Sequence, residues 1–106
     1  MKQRSKRTQF PPESERVEWK QSLGEWKEIV ETCAAFATAS GGTVYIGVSP
    51  NGEVVGVDVG KGTLEDIINK IASNTSPRLV PSVSTTIKNG MTILNVRAKE
   101  APGKPV

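Results

Sequence analysis
Glu13, Glu18 and Lys20 stand together in the stretch ESERVEWK, residues 13–20. Two carboxylates beside a lysine can hold Mg²⁺ or Mn²⁺ and neutralise a scissile phosphate, which is the chemistry of metal-assisted phosphodiester hydrolysis. A hard cation prefers several oxygens, so such a site commonly uses two or three acids. A solvated strand face explains the same residues. Arg16, Glu18 and Lys20 alternate with Val17 and Trp19, so the charged residues share one face and the apolar pair the other. On residue chemistry the solvated face is the simpler account, with Val17 and Trp19 expected on the buried side of the sheet.

A second kind of chemistry lies upstream. Lys2, Arg4, Lys6 and Arg7 precede the first acid of the chain, Glu13. They are four of the 14 basic residues; without them ten bases face 11 acids and the body carries about −1, although the whole chain is at +3. The basicity therefore belongs to an arm over residues 1–12, which ends in Pro11-Pro12 and suits an extended approach. Such an arm can neutralise phosphates and add salt-dependent affinity for nucleic acid, or it can be a solubilising terminus.

Positioning these groups falls to a single domain, since 106 residues support one modest core. No apolar run approaches the ~18 residues of a membrane helix, so no membrane partner is expected. The chain has no histidine and one cysteine, Cys33, inside an apolar helical pattern. That excludes a disulfide framework and any Cys/His or Ser/His pair, and makes the reducing cytoplasm the expected compartment.

After the strand near Glu15–Lys20, the positions Trp26, Ile29, Val30, Cys33, Ala34 and Ala37 form one face of an amphipathic helix. Glu25 and Glu28 suit the positive end of its dipole, and Gly41-Gly42 stops it. Thr43–Val48 reads as a central strand, and Pro50-Asn51-Gly52 as a turn into a hairpin partner over Val54–Val57. Thr63-Leu64-Glu65-Asp66 resembles a capping box opening a helix that ends near Ser76, before Pro77. Strands over Val83–Ile87 and Met91–Val96 flank the hairpin dipeptide Asn89-Gly90. The expected fold is α+β, a mixed sheet with two helices packed on one face, in the order β-α-β-β-α-β-β.

Gly56–Thr63 looks like a phosphate-binding loop but lacks its spacing. Three residues, not four, separate Gly56 from Gly60, and Gly62 parts Lys61 from Thr63. No ATP site is expected there, although Lys61 beside a helix start remains a candidate for an anion, and Arg78 is a further loose cation.

Several segments together carry a family likeness: Glu13-Ser-Glu-Arg-Val-Glu18-Trp-Lys20, Ala35-Phe-Ala-Thr-Ala-Ser-Gly-Gly-Thr43, Tyr45-Ile-Gly-Val48, Asn51-Gly-Glu-Val-Val-Gly-Val57 and Lys104-Pro105. The chain resembles the Schlafen-type AlbA-like domain from Glu13 to Val106, a span expected to be truncated at its C-terminal end. The resemblance implies an AlbA-like fold, a DNA- or RNA-binding role, and a place at the N-terminus of a larger transcriptional regulator or RecG-related helicase-like protein. In the Schlafen branch it also implies a divalent-dependent endoribonuclease site, whose glutamates fall on Glu13 and Glu18 and whose lysine falls on Lys20. The third acid of that site, just after I-G-V, is missing, because Ser49-Pro50-Asn51 stands there. Thr38-Ala39 likewise replaces the usual Asn-Thr.

The expected function is thus nucleic-acid binding, mainly to the phosphate backbone, through Lys2, Arg4, Lys6, Arg7, Arg16, Lys20, Lys61 and Arg78. No cofactor is expected, with Mg²⁺ or Mn²⁺ reserved for the endoribonuclease alternative. A non-catalytic interaction domain, forming a homodimer or docking on further domains of a longer chain, is the remaining class.

Overall fold
The computed structural model describes residues 11–102. The basic positions Lys2, Arg4, Lys6 and Arg7, and the Lys104-Pro105 segment, lie outside the described residues. The elements run β1 (Val17–Lys20), a short 3₁₀ turn (Leu23–Glu25), α1 (Trp26–Thr38), β2 (Gly42–Ile46), α2 (Thr63–Ser73), β3 (Ser82–Lys88) and β4 (Met91–Ala98). The strands form one sheet in the order β1-β2-β4-β3. β1 and β2 are parallel, and the other pairs antiparallel. This is the expected mixed α+β sheet with two helices on one face.

The core lies between the helices and the inner strands. Ile29, Val30, Cys33 and Phe36 of α1 and Ile67 and Ile71 of α2 pack on Val44, Ile46, Leu94, Val96 and Ala98. Each fully buried isoleucine or leucine contributes roughly 1.5–3 kcal/mol relative to exposure. Trp26 is only half-buried at the edge of this core, with Lys70 Nζ 5.5 Å and Lys27 Nζ 5.7 Å from its ring centroid. Among the described residues no helix is long and apolar enough to cross a membrane.

Burial pushes the Cys33 thiol up to about 12, because the thiolate would lose its hydration in the core. Cys33 should therefore resist an aromatic disulfide reagent at pH 8 and react fully once the protein is unfolded in guanidinium. Rapid reaction of the folded protein would contradict this packing.

The segment Val54–Val57 corrects the expected strand order to β-α-β-α-β-β. It is tied to the residues just after β2 by the isolated bridge Val48–Val54 and by Gly47 O, which accepts from Val55 N (2.7 Å) and Gly56 N (2.9 Å). Gly47 and Gly56 both have positive φ, at 115° and 75°, and these bends prevent a ladder. Val57 N then donates to Thr92 O (2.9 Å), carrying the segment across the end of β4.

The expected capping box at Thr63 is also replaced. Thr63 Oγ1 turns back to accept from Gly60 N (2.7 Å), and Asp66 pairs with Lys70 (2.8 Å) one turn on. The helix stops at Ser73, three residues earlier than the proline suggested. Thr75 Oγ1 donates to Ile71 O (2.9 Å) and accepts from Leu79 N (2.9 Å), so this side chain closes the helix end. The Asn89-Gly90 hairpin is as expected, both residues taking positive φ (53° and 75°).

Candidate nucleic-acid interface
The alternation in β1 is real, but its faces are reversed from expectation. Glu18 and Lys20 are in register with Val44 and Ile46, whose side chains face the helices. Val17 and Trp19 are in register with Thr43 and Tyr45 on the opposite face. There Trp19 and Tyr45 pack with Val48, Ile93 and Val54 in a second small apolar cluster. β1 is an edge strand, so its charged side reaches past the sheet to the start of α1.

Lys20 ends in a nest of carboxylates. Its Nζ lies 2.8 Å from Glu28 Oε1, 3.7 Å from Glu18 Oε2 and 3.9 Å from Glu25 Oε1. The lysine side chain is only 14% exposed. The hydrogen bond that Lys20 donates to Glu28 outweighs burial, and with the fields of Glu28, Glu18 and Glu25 it raises the lysine pKa above its ordinary 10.5. This ammonium is engaged by internal partners in the structure. Glu25 and Glu28, read from the sequence as dipole partners, supply two of the three carboxylates.

The two glutamates named for the endoribonuclease alternative are each engaged locally. Glu13 Oε2 accepts from Trp19 N (3.0 Å), capping the free edge of β1 while Glu18 turns to Lys20. Where the third acid would stand, Ser49 is buried in a tight turn: its Oγ donates to Asn51 Oδ1 and accepts from Glu53 N (3.2 Å). Among the described residues no three His, Cys, Asp or Glu side chains are grouped to hold a metal ion. Glu13 is thus engaged with Trp19 N, and Glu18 with Lys20.

The cations that do converge sit at the other end of the sheet. Arg16, Arg97 and Lys99 line a hollow of about 300 Å³ around Ser40, Gly41 and Gly42. Arg16 Nη2 donates to Ser40 O (3.0 Å), which fixes the guanidinium at the exit of α1. Arg16, Arg97 and Lys99 make no ion pair among the described residues. Glu100 shares the hollow. Arg78 lies nearby, lining with Arg97 and Lys99 a second hollow of about 440 Å³. Lys61 is exposed in the loop before α2, apart from this group. Arg97 and Lys99 escaped the sequence reading because the last strand was expected to end at Val96, whereas it runs to Ala98. Their signal was the continued alternation Val96, Arg97, Ala98, Lys99.

A helix-backed mixed sheet of this kind defines an α+β domain of the AlbA-like type. The chain belongs to the family described as Schlafen, AlbA_2, whose model matches residues 13–106. Among solved structures it is similar to a protein from Corynebacterium diphtheriae, at 15% identity and a TM-score of 0.69, over 88% of this chain and 22% of that one. It is also similar to the N-terminal domain of an ATP-dependent DNA helicase RecG-related protein from Nitrosomonas europaea. That match has 24% identity and a TM-score of 0.57, over 91% of this chain and 77% of that one. The chain thus spans under a quarter of the length of the first of these relatives. No curated protein matches it.

Proposed function
We propose that this domain binds nucleic acid through its phosphates and serves as the N-terminal module of a larger regulator or RecG-related helicase-like protein. The observation that carries this reading is the convergence of Arg16, Arg97 and Lys99 on one hollow without an ion pair among the described residues. Cations left unpaired at one end of a near-neutral body are suited to an external anion, and several together suit a polyanion. The arm bearing Lys2, Arg4, Lys6 and Arg7 adds charge that the body lacks. Family membership and the helicase-related neighbour are consistent with this role.

Phosphate contacts release counterions, so binding should weaken steeply with salt and depend little on sequence. Fluorescence anisotropy with labelled DNA and RNA should show binding at about 50 mM salt that falls at least tenfold by about 200 mM. No anisotropy change at the lower salt would end this reading. Manganese-stimulated RNA cleavage that disappears in Glu18→Ala would instead favour the endoribonuclease.

A further inference from the structure
The helix-free face of the sheet is ordered in rows by the strand register. Val17, Thr43, Arg97 and Ser82 form one row across the four strands, and Trp19, Tyr45, Asn95 and Ser84 the next. Ile93 and Thr86 continue the face on β4 and β3. Thr43, Tyr45, Thr86, Asn95, Arg97 and Lys99 help line an open groove of about 600 Å³ on this face.

Three features of the groove point to one kind of occupant. The first is donor chemistry: Asn95 Nδ2 donates to Ser84 Oγ (3.3 Å) and to Thr86 Oγ1 (2.7 Å). Each hydroxyl is an acceptor in that bond, which leaves its own proton to donate outward. The second is the half-buried Tyr45, an aromatic wall braced by Trp19 and Ile93. The third is charge at one end, where Arg97 and Lys99 belong both to this groove and to the hollow that holds Arg16. Trp19 Nε1 also donates to Pro11 O (3.0 Å), which holds Pro11 beside this face.

We propose that a single-stranded nucleic acid lies across this face. Its phosphates meet Arg16, Arg97 and Lys99, a base stacks on Tyr45, and the Ser84 and Thr86 hydroxyls donate to base or backbone oxygens. This deepens the nucleic-acid reading above, on which it rests, by assigning the surface and the form of the ligand. A single strand exposes base faces and edges for aromatic and hydroxyl groups, whereas a duplex stacks its bases away and offers a sheet mainly phosphates.

The test uses the 106-residue chain with labelled oligo(U), oligo(dT) and a duplex of equal length. Either strand should bind more tightly than the duplex, and the comparison of the two identifies RNA or DNA as the source. In Arg97→Gln/Lys99→Gln, losing two phosphate contacts should weaken strand binding about tenfold and reduce the log–log salt slope by about 1.4. Ser84→Ala/Thr86→Val should weaken binding while leaving that slope unchanged, and Lys27→Gln, an exposed cation on α1 at the opposite side of the sheet, should match the unaltered protein. If the double cation variant does not fold, Lys99→Gln alone carries the test, with a slope change of about 0.7. Unchanged affinity and slope in the cation variant would overturn the surface while sparing the nucleic-acid reading. Tighter duplex binding would overturn the single-strand assignment. No binding by the unaltered protein at about 50 mM salt would overturn both.

Discussion

Gly47→Ala should destabilise the domain by about 3 kcal/mol, through overpacking and backbone strain together. For a domain of this size that lowers the melting temperature by roughly 12 °C or more. Gly47 has φ +115°, where an L side chain is strained whatever the space around it. The space is also taken: a Cβ there would stand 2.9 Å from Ile93 Cδ1 and 3.2 Å from Gly56 Cα. Ile93 is fully buried and anchors the helix-free cluster. Gly56 is held in place because Gly47 O accepts from both Val55 N and Gly56 N, so neither neighbour can move aside cheaply. The glycines of the I-G-V and V-V-G-V segments therefore serve one close crossing of two backbones. Gly60→Ala is the control, since its Cβ would meet only Thr63 Oγ1 at an ordinary 3.8 Å. Thermal unfolding followed by circular dichroism decides it. A Gly47→Ala protein melting within a few degrees of the unaltered one would refute this account of the crossing.

That crossing also marks where local sequence signals stopped being sufficient. Asn51-Gly52 is a sound turn signal and Val54–Val57 a sound strand pattern, so a hairpin was the natural expectation. The outcome depends on φ at Gly47 and Gly56, which the residue types permit but do not dictate. Helix α1 was legible because its apolar positions repeat over three turns and end at two glycines. β4 was legible except at its end, and that end carries Arg97 and Lys99.

The largest misplacement concerned β1. A period of two separates the faces of a strand but does not say which face the helices cover. Trp19 and Val17 suggested the main core, but they face the helix-free side, where Val48 and Ile93 supply a separate apolar cluster. The cation site was illegible for a different reason. Arg16 and Arg97 are far apart in sequence and come together only because β2 lies between β1 and β4.

Lys20→Met should cost about 1–2 kcal/mol at neutral pH, between the values for exposed and buried ion pairs. The methionine keeps most of the side-chain volume, so the loss reports on charge. Without the ammonium, Glu18, Glu25 and Glu28 face a common point with nothing to offset their repulsion. Relief should follow from removing one acid, so Lys20→Met/Glu28→Gln should be less destabilised than the sum of its two single variants. The pH dependence adds a second readout. In the folded protein the lysine pKa is raised above 10.5. Below that ordinary value the lysine is protonated in both states and its stabilisation is present in full. As pH rises past 10.5 the unfolded chain releases the proton first, so stability declines through the raised folded pKa. Lys20→Met should lack this part of the alkaline decline. Its nucleic-acid affinity should stay within about twofold of the unaltered protein, because removing a committed ammonium takes away no phosphate contact. Urea unfolding at pH 7 and above pH 10.5, with anisotropy on the same samples, separates the outcomes. A variant as stable as the unaltered protein but much weaker in binding would mean that Lys20 serves phosphate and not the three glutamates.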